Sequence, residues 1–135
     1  MLVVALSLLI GDAANAQPAA VTVFKGRPVV KISEGGVERT PEQLATATAA
    51  NLECVISQIG ERFYLASREN LELVRVERGG FVTYIALNGA AYVRVITPAG
   101  KEAASIAESK TETTFDYVEH LLIGLRSVTY YGKTQ

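Results

Sequence analysis

The sequence predicts an α+β domain, in which an antiparallel β-meander of about five to seven strands carries one or two helices packed on one face. Two observations predict this class. Short β-rich runs separated by glycine-containing turns follow one another from residue 53 to residue 97. Two segments with helical apolar spacing, residues 41–51 and 114–125, flank those runs. A small barrel with peripheral helices is the main alternative.

The composition excludes several classes of protein. The length of 135 residues fits one compact domain, and a hydrophobic content of 49% is too high for a disordered chain. With 13 Lys and Arg against 14 Asp and Glu, no positive excess favours nucleic-acid binding. The single cysteine, Cys54, excludes a disulfide scaffold and a multi-cysteine zinc site. We interpret Cys54 as a small buried apolar side chain.

Residues 1–16 have the pattern of a signal peptide. Met1–Ile10 is apolar and uncharged, Ala14-Asn15-Ala16 fits the small-x-small cleavage rule, and Pro18 follows the cut. The positive amino-terminal region of a typical signal is missing. The apolar run is shorter than the ~20 residues that span a bilayer. We therefore predict that residues 17–135 form a single exported domain, periplasmic or extracellular, with no membrane span in the mature chain.

The first third of the mature chain predicts a hairpin, a helix and a strand. Two β-rich runs within residues 21–33 flank Lys25-Gly26-Arg27-Pro28, which predicts a short hairpin at the sheet edge because proline is tolerated there. Thr40-Pro41-Glu42-Gln43 has a capping box and begins a helix of about residues 41–51. Residues 52–59 fit either a helix or a strand. Their β-branched side chains favour a strand from about residue 53.

Turn signals then define a meander. Gly60-Glu61, with glycine first, predicts a two-residue turn that sets Ile56 opposite Leu65 and Ser57 opposite Tyr64. Arg78-Gly79-Gly80 separates two further runs, residues 71–77 and 81–87.

Asn88-Gly89 predicts a type I′ turn between two apolar runs. The register then places Tyr84 opposite Val93 and Val82 opposite Val95. One face becomes wholly apolar and should face the core. Its members are Val82, Tyr84, Ala86, Ala91, Val93 and Val95.

The carboxyl-terminal part predicts a second helix and a last strand. Residues 101–114 are polar and predict a loop or a marginal helix. An apolar stripe at helical spacing then predicts a helix from residue 114, and it consists of Phe115, Val118, Leu121, Leu122 and Leu125. Residues 127–132 are β-rich and predict a final strand.

One row of residues suggests catalysis or metal binding. Glu112, Asp116 and His120 are spaced i, i+4 and i+8 on the predicted second helix. Such a row can hold a metal or orient a histidine base, whereas a solvated polar face is the competing interpretation. The sequence contains no HExxH zinc motif and no GxSxG elbow. A small hydrolase or metal-dependent enzyme using Asp116 and His120 is thus the alternative function, and no cofactor is predicted.

The leading hypothesis is a non-enzymatic binding module. Arg62 and Tyr64 share one side of the first hairpin, and Thr83, Tyr92 and Arg94 share one side of the second. If these two sides coincide, the sheet presents a face of tyrosine and arginine. Tyrosine and arginine anchor interfaces through amphipathic area and fixed donor forks. An ordinary half-solvated sheet is the competing interpretation. These five residues are our candidate binding site, for a partner protein, a peptide or a small anionic ligand.

Overall fold

The computed structural model describes residues 18–38, 52–107 and 115–135. Within these ranges it contains nine strands and one helix. They are β1 (Val21–Ser33), β2 (Gly36–Glu38), β3 (Cys54–Ile59), β4 (Arg62–Leu65), β5 (Leu71–Arg78), β6 (Phe81–Ala86), β7 (Ala91–Ile96), α1 (Pro98–Ala107), β8 (Tyr117–Ile123) and β9 (Arg126–Thr134).

The predicted α+β class is wrong, because the strands close into a barrel instead of forming an open sheet covered by helices. Strands β3 to β9 pair antiparallel in chain order, and β1 pairs with both β3 and β9. The closed barrel therefore has eight strands. The short β2 adds only to the far end of β1.

The predicted second helix is also wrong, since residues 117–123 form strand β8. Tyr117, Glu119 and Leu121 point into the barrel and are buried, which is a period of two. The charged Glu119 interrupts the apolar alternation. Because Phe115, Val118 and Leu122 happen to lie at helical spacing, the apolar residues alone favoured the wrong period. Antiparallel pairing with β7 and β9 makes this segment a strand.

Strand β1 replaces the predicted edge hairpin. It runs unbroken from Val21 to Ser33, and Gly26 pairs with both Cys54 of β3 and Thr134 of β9. The register with β9 shifts just after Pro28, at a bulge, where a residue without an N–H is tolerated. One long strand thus pairs first with β3 and then with β9, and so closes the barrel.

The turns and registers around the first hairpin are confirmed. Residues 54–59 are a strand, and Ile56 pairs with Leu65 and Ser57 with Tyr64. Gly60 has φ +61°, the left-handed conformation that the first position of this turn requires.

The predicted core face is confirmed as well. Tyr84 pairs with Val93 and Val82 with Val95. Five of the six predicted residues are buried, and Val95 packs against them. The buried apolar residues of the described chain are Phe24, Cys54, Ile56, Leu65, Leu73, Val82, Tyr84, Ala86, Ala91, Val93, Tyr117, Leu121 and Tyr130.

The Asn88-Gly89 turn lies where it was predicted, but it is not of type I′. The Gly89 N–H donates to the Ala86 carbonyl at 2.9 Å, so Leu87 and Asn88 occupy the central positions. Gly89 has φ +74°, whereas Asn88 does not adopt a positive φ. The Asn88 side chain instead accepts from the Ala90 N–H at 3.0 Å. Asparagine acts here through its side chain and glycine through its backbone.

Helix α1 begins at Pro98, three residues before the segment predicted as a loop or marginal helix, and it is attached to the β5–β6 turn. The Thr97 N–H donates to the Gly80 carbonyl at 2.9 Å, and Gly100 lies against Gly80. The predicted helix of residues 41–51 and the predicted signal peptide lie outside the described residues. In the part of the chain that the structure describes, no helix has the length and apolar character needed to cross a membrane.

We expect Gly89→Val to destabilise the fold by about 1–3 kcal/mol, because a β-branched side chain is strained at positive φ. No atom lies within 4 Å of a Cβ at this position, so the cost comes from the backbone alone. Urea unfolding of the two proteins measures it. Gly35→Val is the control, since Gly35 also lies in a tight turn but does not have a positive φ. Equal midpoints for the two variants would contradict the expectation.

Candidate functional site

The five predicted binding residues all lie on the outer surface of strands β4, β6 and β7. They are Arg62, Tyr64, Thr83, Tyr92 and Arg94, and we call them the Tyr/Arg face. They point outward because the alternate residues of the same strands point into the core. The structure therefore places all five on one side of the barrel wall. Binding of a partner by these five residues stays a prediction.

In the β6–β7 half of the Tyr/Arg face, an aromatic ring holds one of the arginines. Thr83 pairs directly with Arg94 across the two strands. The Arg94 guanidinium lies 4.0 Å from the centre of the Phe81 ring, a cation–π contact that fixes the arginine head. Tyr92 pairs with Ile85 one step further along the ladder.

The β4 half lies across β5 from the other residues. Arg62 Nε is 3.9 Å from Glu72 Oε1, and Tyr64 pairs with Glu72. Both side chains of the ion pair are largely solvent-exposed, so the pair contributes little stability. The two halves of the Tyr/Arg face are thus neighbours across one strand, not a single contiguous cluster.

The intervening surface is apolar, which the sequence analysis missed. Val74 and Val76 of β5 and Ile85 of β6 point outward and are 45%, 47% and 40% exposed. Val74 pairs with Ile85, so they form one patch. Successive side chains along Leu71–Arg78 alternate between the two sides of the strand. With Leu71 and Leu73 on the inward side, this alternation could have revealed the outward patch.

The structure does not assemble Asp116 and His120 into a site. Both belong to the extended segment around β8, where four residues span about 13 Å. The Asp116 carboxylate is held by Lys101 Nζ and the Thr134 N–H, each at 2.9 Å. His120 Nδ1 is 2.8 Å from Thr129 Oγ1.

These contacts give Asp116 a structural role. Partial burial opposes ionisation of Asp116, but the hydrogen bonds from Lys101 and Thr134 outweigh it and lower the pKa. Glu112 lies outside the described residues. Within those residues no three His, Cys, Asp or Glu side chains are grouped to hold a metal ion.

A buried ion pair inside the barrel was not predicted. Arg68 Nη2 lies 3.1 Å from Glu119 Oε2, and the Arg68 and Glu119 side chains are 18% and 0% exposed. In the sequence Arg68 belongs to the polar run Ser67-Arg68-Glu69-Asn70, which has the composition of an ordinary exposed turn. In the structure its loop turns the guanidinium inward.

The conformation of the β4–β5 loop explains how Arg68 reaches the interior. Glu69 and Asn70 adopt φ +55° and +54°, which reverses the chain immediately after Arg68. Ser67 holds the loop on β3, because its N–H donates to the Val55 carbonyl and its hydroxyl accepts from the Val55 N–H. The Arg68 guanidinium also lies 5.7 Å from the centre of the Tyr130 ring.

Burial controls the ionisation of this interior cluster. It raises the pKa of Glu119 to about 7, although the adjacent Arg68 guanidinium lowers it. Burial and the neighbouring Glu119 carboxylate raise the pKa of the Cys54 thiol well above its usual range. Such a thiol is a poor nucleophile, because the reactive form is the thiolate. Cys54 is therefore a side chain of the core, and the Arg68–Glu119 pair joins the β4–β5 loop to β8 inside the barrel.

Glu119 should make the fold less stable as the pH rises. Its pKa is about 7 in the folded state against 4.5 for a free side chain, so between these values the folded state retains a proton that the unfolded state has lost. The free energy of unfolding therefore falls from about pH 5 to about pH 8, by at most about 3 kcal/mol from this group.

Urea unfolding at both pH values, for the wild type and for Glu119→Gln, checks this expectation. The variant should show a weaker pH dependence, whatever its absolute stability. Glu72→Gln is the matched control, since Glu72 is an exposed carboxylate on β5. An unchanged slope in Glu119→Gln would mean that Glu119 is already ionised at about pH 5.

Comparison with known proteins identifies no relative of this chain. No family model, no curated protein and no solved structure matches the chain. The function is therefore inferred from the placement and chemistry of its own residues.

Proposed function

We propose that the chain is a small exported binding module that recognises a partner protein through the outer wall of strands β4 to β7. The supporting observation is the exposed patch of Val74, Val76 and Ile85 with the Tyr/Arg face on both sides of it. Interfaces commonly combine an apolar centre with a polar rim, and tyrosine and arginine supply their anchors.

The partner surface should carry acidic groups. Arg62, Arg78 and Arg94 border the patch, whereas Glu72 is the carboxylate among its outward neighbours on β5. Among the described residues, neither Arg78 nor Arg94 forms an ion pair. Complementary charge steers encounter and fixes the orientation of a complex.

The shape of this wall and the order of its side chains favour a protein over a small ligand. The residues lie on the outside of a closed barrel, so they present an open surface, and small molecules prefer enclosed sites. Arg94 is already held on the Phe81 ring, which reduces the conformational entropy lost on binding.

The enzyme alternative has no observation in its favour. It required Asp116 and His120 to act together, but Asp116 is engaged by Lys101 and Thr134, and His120 by Thr129. The two side chains are too far apart along an extended strand to share a reacting atom.

Export is supported by the sequence of residues 1–16 and is part of the proposal. We expect the protein recovered from the periplasm or the culture medium to begin at Gln17, after cleavage behind Ala16. Intact-mass spectrometry of the recovered species checks this. A cytoplasmic species that retains Met1 would refute the export proposal.

We expect Tyr92→Ala with Arg94→Ala to abolish partner binding and to leave the fold intact. Each anchor should cost about 2 kcal/mol or more of binding energy, because both side chains are held outward on a strand whose other side is buried. Residues 17–135 serve as bait against the exported proteins of the source cell, and calorimetry then measures the affinity of the recovered partner.

The control for this test is Arg27→Ala with Arg126→Ala, which removes two exposed guanidinium groups away from strands β4 to β7. A partner retained by the wild type and the control but lost by the double variant supports the proposal. Retention by the double variant with unchanged affinity would show that another surface binds.

A further inference from the structure

Strand β5 has an open edge in an otherwise closed wall. Strand β4 has four residues and β5 has eight, so their pairing extends only from Leu65–Leu71 to Phe63–Leu73. Beyond Leu73, residues 74–78 pair with β6 on one side. On the other side, no strand of the described ranges pairs with them.

The ladder determines which backbone groups lie on this edge. Gly79 and Gly80 form a two-residue turn with φ +62° and +80°, and such a turn closes on a hydrogen-bonded pair, here Arg78 and Phe81. Hydrogen-bonded residues alternate along an antiparallel strand. The backbone N–H and C=O groups of Arg75 and Glu77 therefore point away from β6, toward the open edge.

We propose that two copies of this chain pair antiparallel along the β5 edge, with Val76 on the twofold axis. In this register Arg75 lies opposite Glu77 of the partner subunit, and Glu77 lies opposite Arg75 of the partner subunit. These are the residues whose backbone groups are available, so the two pairs form four hydrogen bonds. The contact is the same patch on both subunits, as twofold symmetry requires.

The side chains favour the same register. Arg75 Nη2 already lies 3.0 Å from Glu77 Oε2 within one chain, and pairing two copies creates an alternating network of four charges. Sliding the partner by two residues places either two Arg75 or two Glu77 side chains directly opposite each other, which is destabilising. On the outer surface, the exposed Val76 packs against Val76 of the partner subunit.

This dimer goes beyond the proposed function and does not depend on it. It covers an edge that would otherwise be a template for uncontrolled pairing. It also places the Val74, Val76 and Ile85 patches of two subunits side by side. The contact is a short strand pair, so we expect a concentration-dependent dimer that weakens at high salt.

Two charge reversals test the proposal. Arg75→Glu places Glu against Glu, and Glu77→Arg places Arg against Arg, so each variant alone should dimerise at least tenfold more weakly than the wild type. Mixing the two variants restores opposite charges in every pair and should restore the dimer. The measurement is sedimentation velocity of the protein across a concentration series, for the wild type, each variant and the mixture.

Controls separate this contact from effects on folding. Arg126→Glu reverses an exposed charge away from the edge and should dimerise like the wild type. Circular dichroism verifies the fold of each variant, and Val76→Lys, which brings two lysines together at the axis, replaces any reversal that does not fold. A monomeric wild type, unchanged dimerisation of the variants or a mixture that stays monomeric would each overturn the proposal.

Discussion

Closure of the barrel depends on the double pairing of β1. The strand joins β3 through its first half and β9 through its second, and the two ladders meet at Gly26. The absence of a side chain at this point matters, because a Cβ at Gly26 or at Gly132 would meet the Tyr117 ring. The two glycines therefore make room for an inward aromatic ring where the two ladders meet.

Closure of the barrel removes inward-pointing polar side chains from water. The inward phase of β8 carries Glu119 into the core, where an isolated carboxylate would be costly. Arg68 compensates from a loop on the opposite wall, and Tyr130 lies beneath its guanidinium. A buried ion pair of this kind adds little net stability, but losing one partner leaves an uncompensated charge. We infer that the pair fixes the position of the β4–β5 loop against β8.

The outer wall follows from the same alternation. Every inward core residue on β5, β6 and β7 places its neighbours outward, which is how Val74, Val76, Ile85, Tyr92 and Arg94 come to share a surface. The unequal lengths of β4 and β5 then leave part of the same wall without a neighbouring strand from the described ranges. The surface proposed for a partner and the edge proposed for a second copy are therefore adjacent features of one sheet.

The sequence by itself determined the local features of this fold. Gly60, Gly79-Gly80 and Asn88-Gly89 located three turns, and these turns set the registers of the hairpins and the apolar face of β6 and β7. Those registers also place Arg62 with Tyr64 on one side of the first hairpin, and Thr83, Tyr92 and Arg94 on one side of the second, whereas pairing through β5 makes the two sides coincide. Such features are predictable because they depend on residues close together in the chain.

Only the tertiary structure decided closure, the strand conformation of residues 117–123 and the buried Arg68–Glu119 pair. Closure joins β1 to β9, about a hundred residues apart, and local patterns carry no information on that contact. The charged Glu119 lies on the inward side of β8 and interrupts the apolar alternation that would have identified a strand. Its burial is tolerated because Arg68, 51 residues away in the sequence, pairs with it. The local sequence fits both periods, and pairing with β7 and β9 selects the strand because it satisfies the backbone hydrogen bonds on both sides.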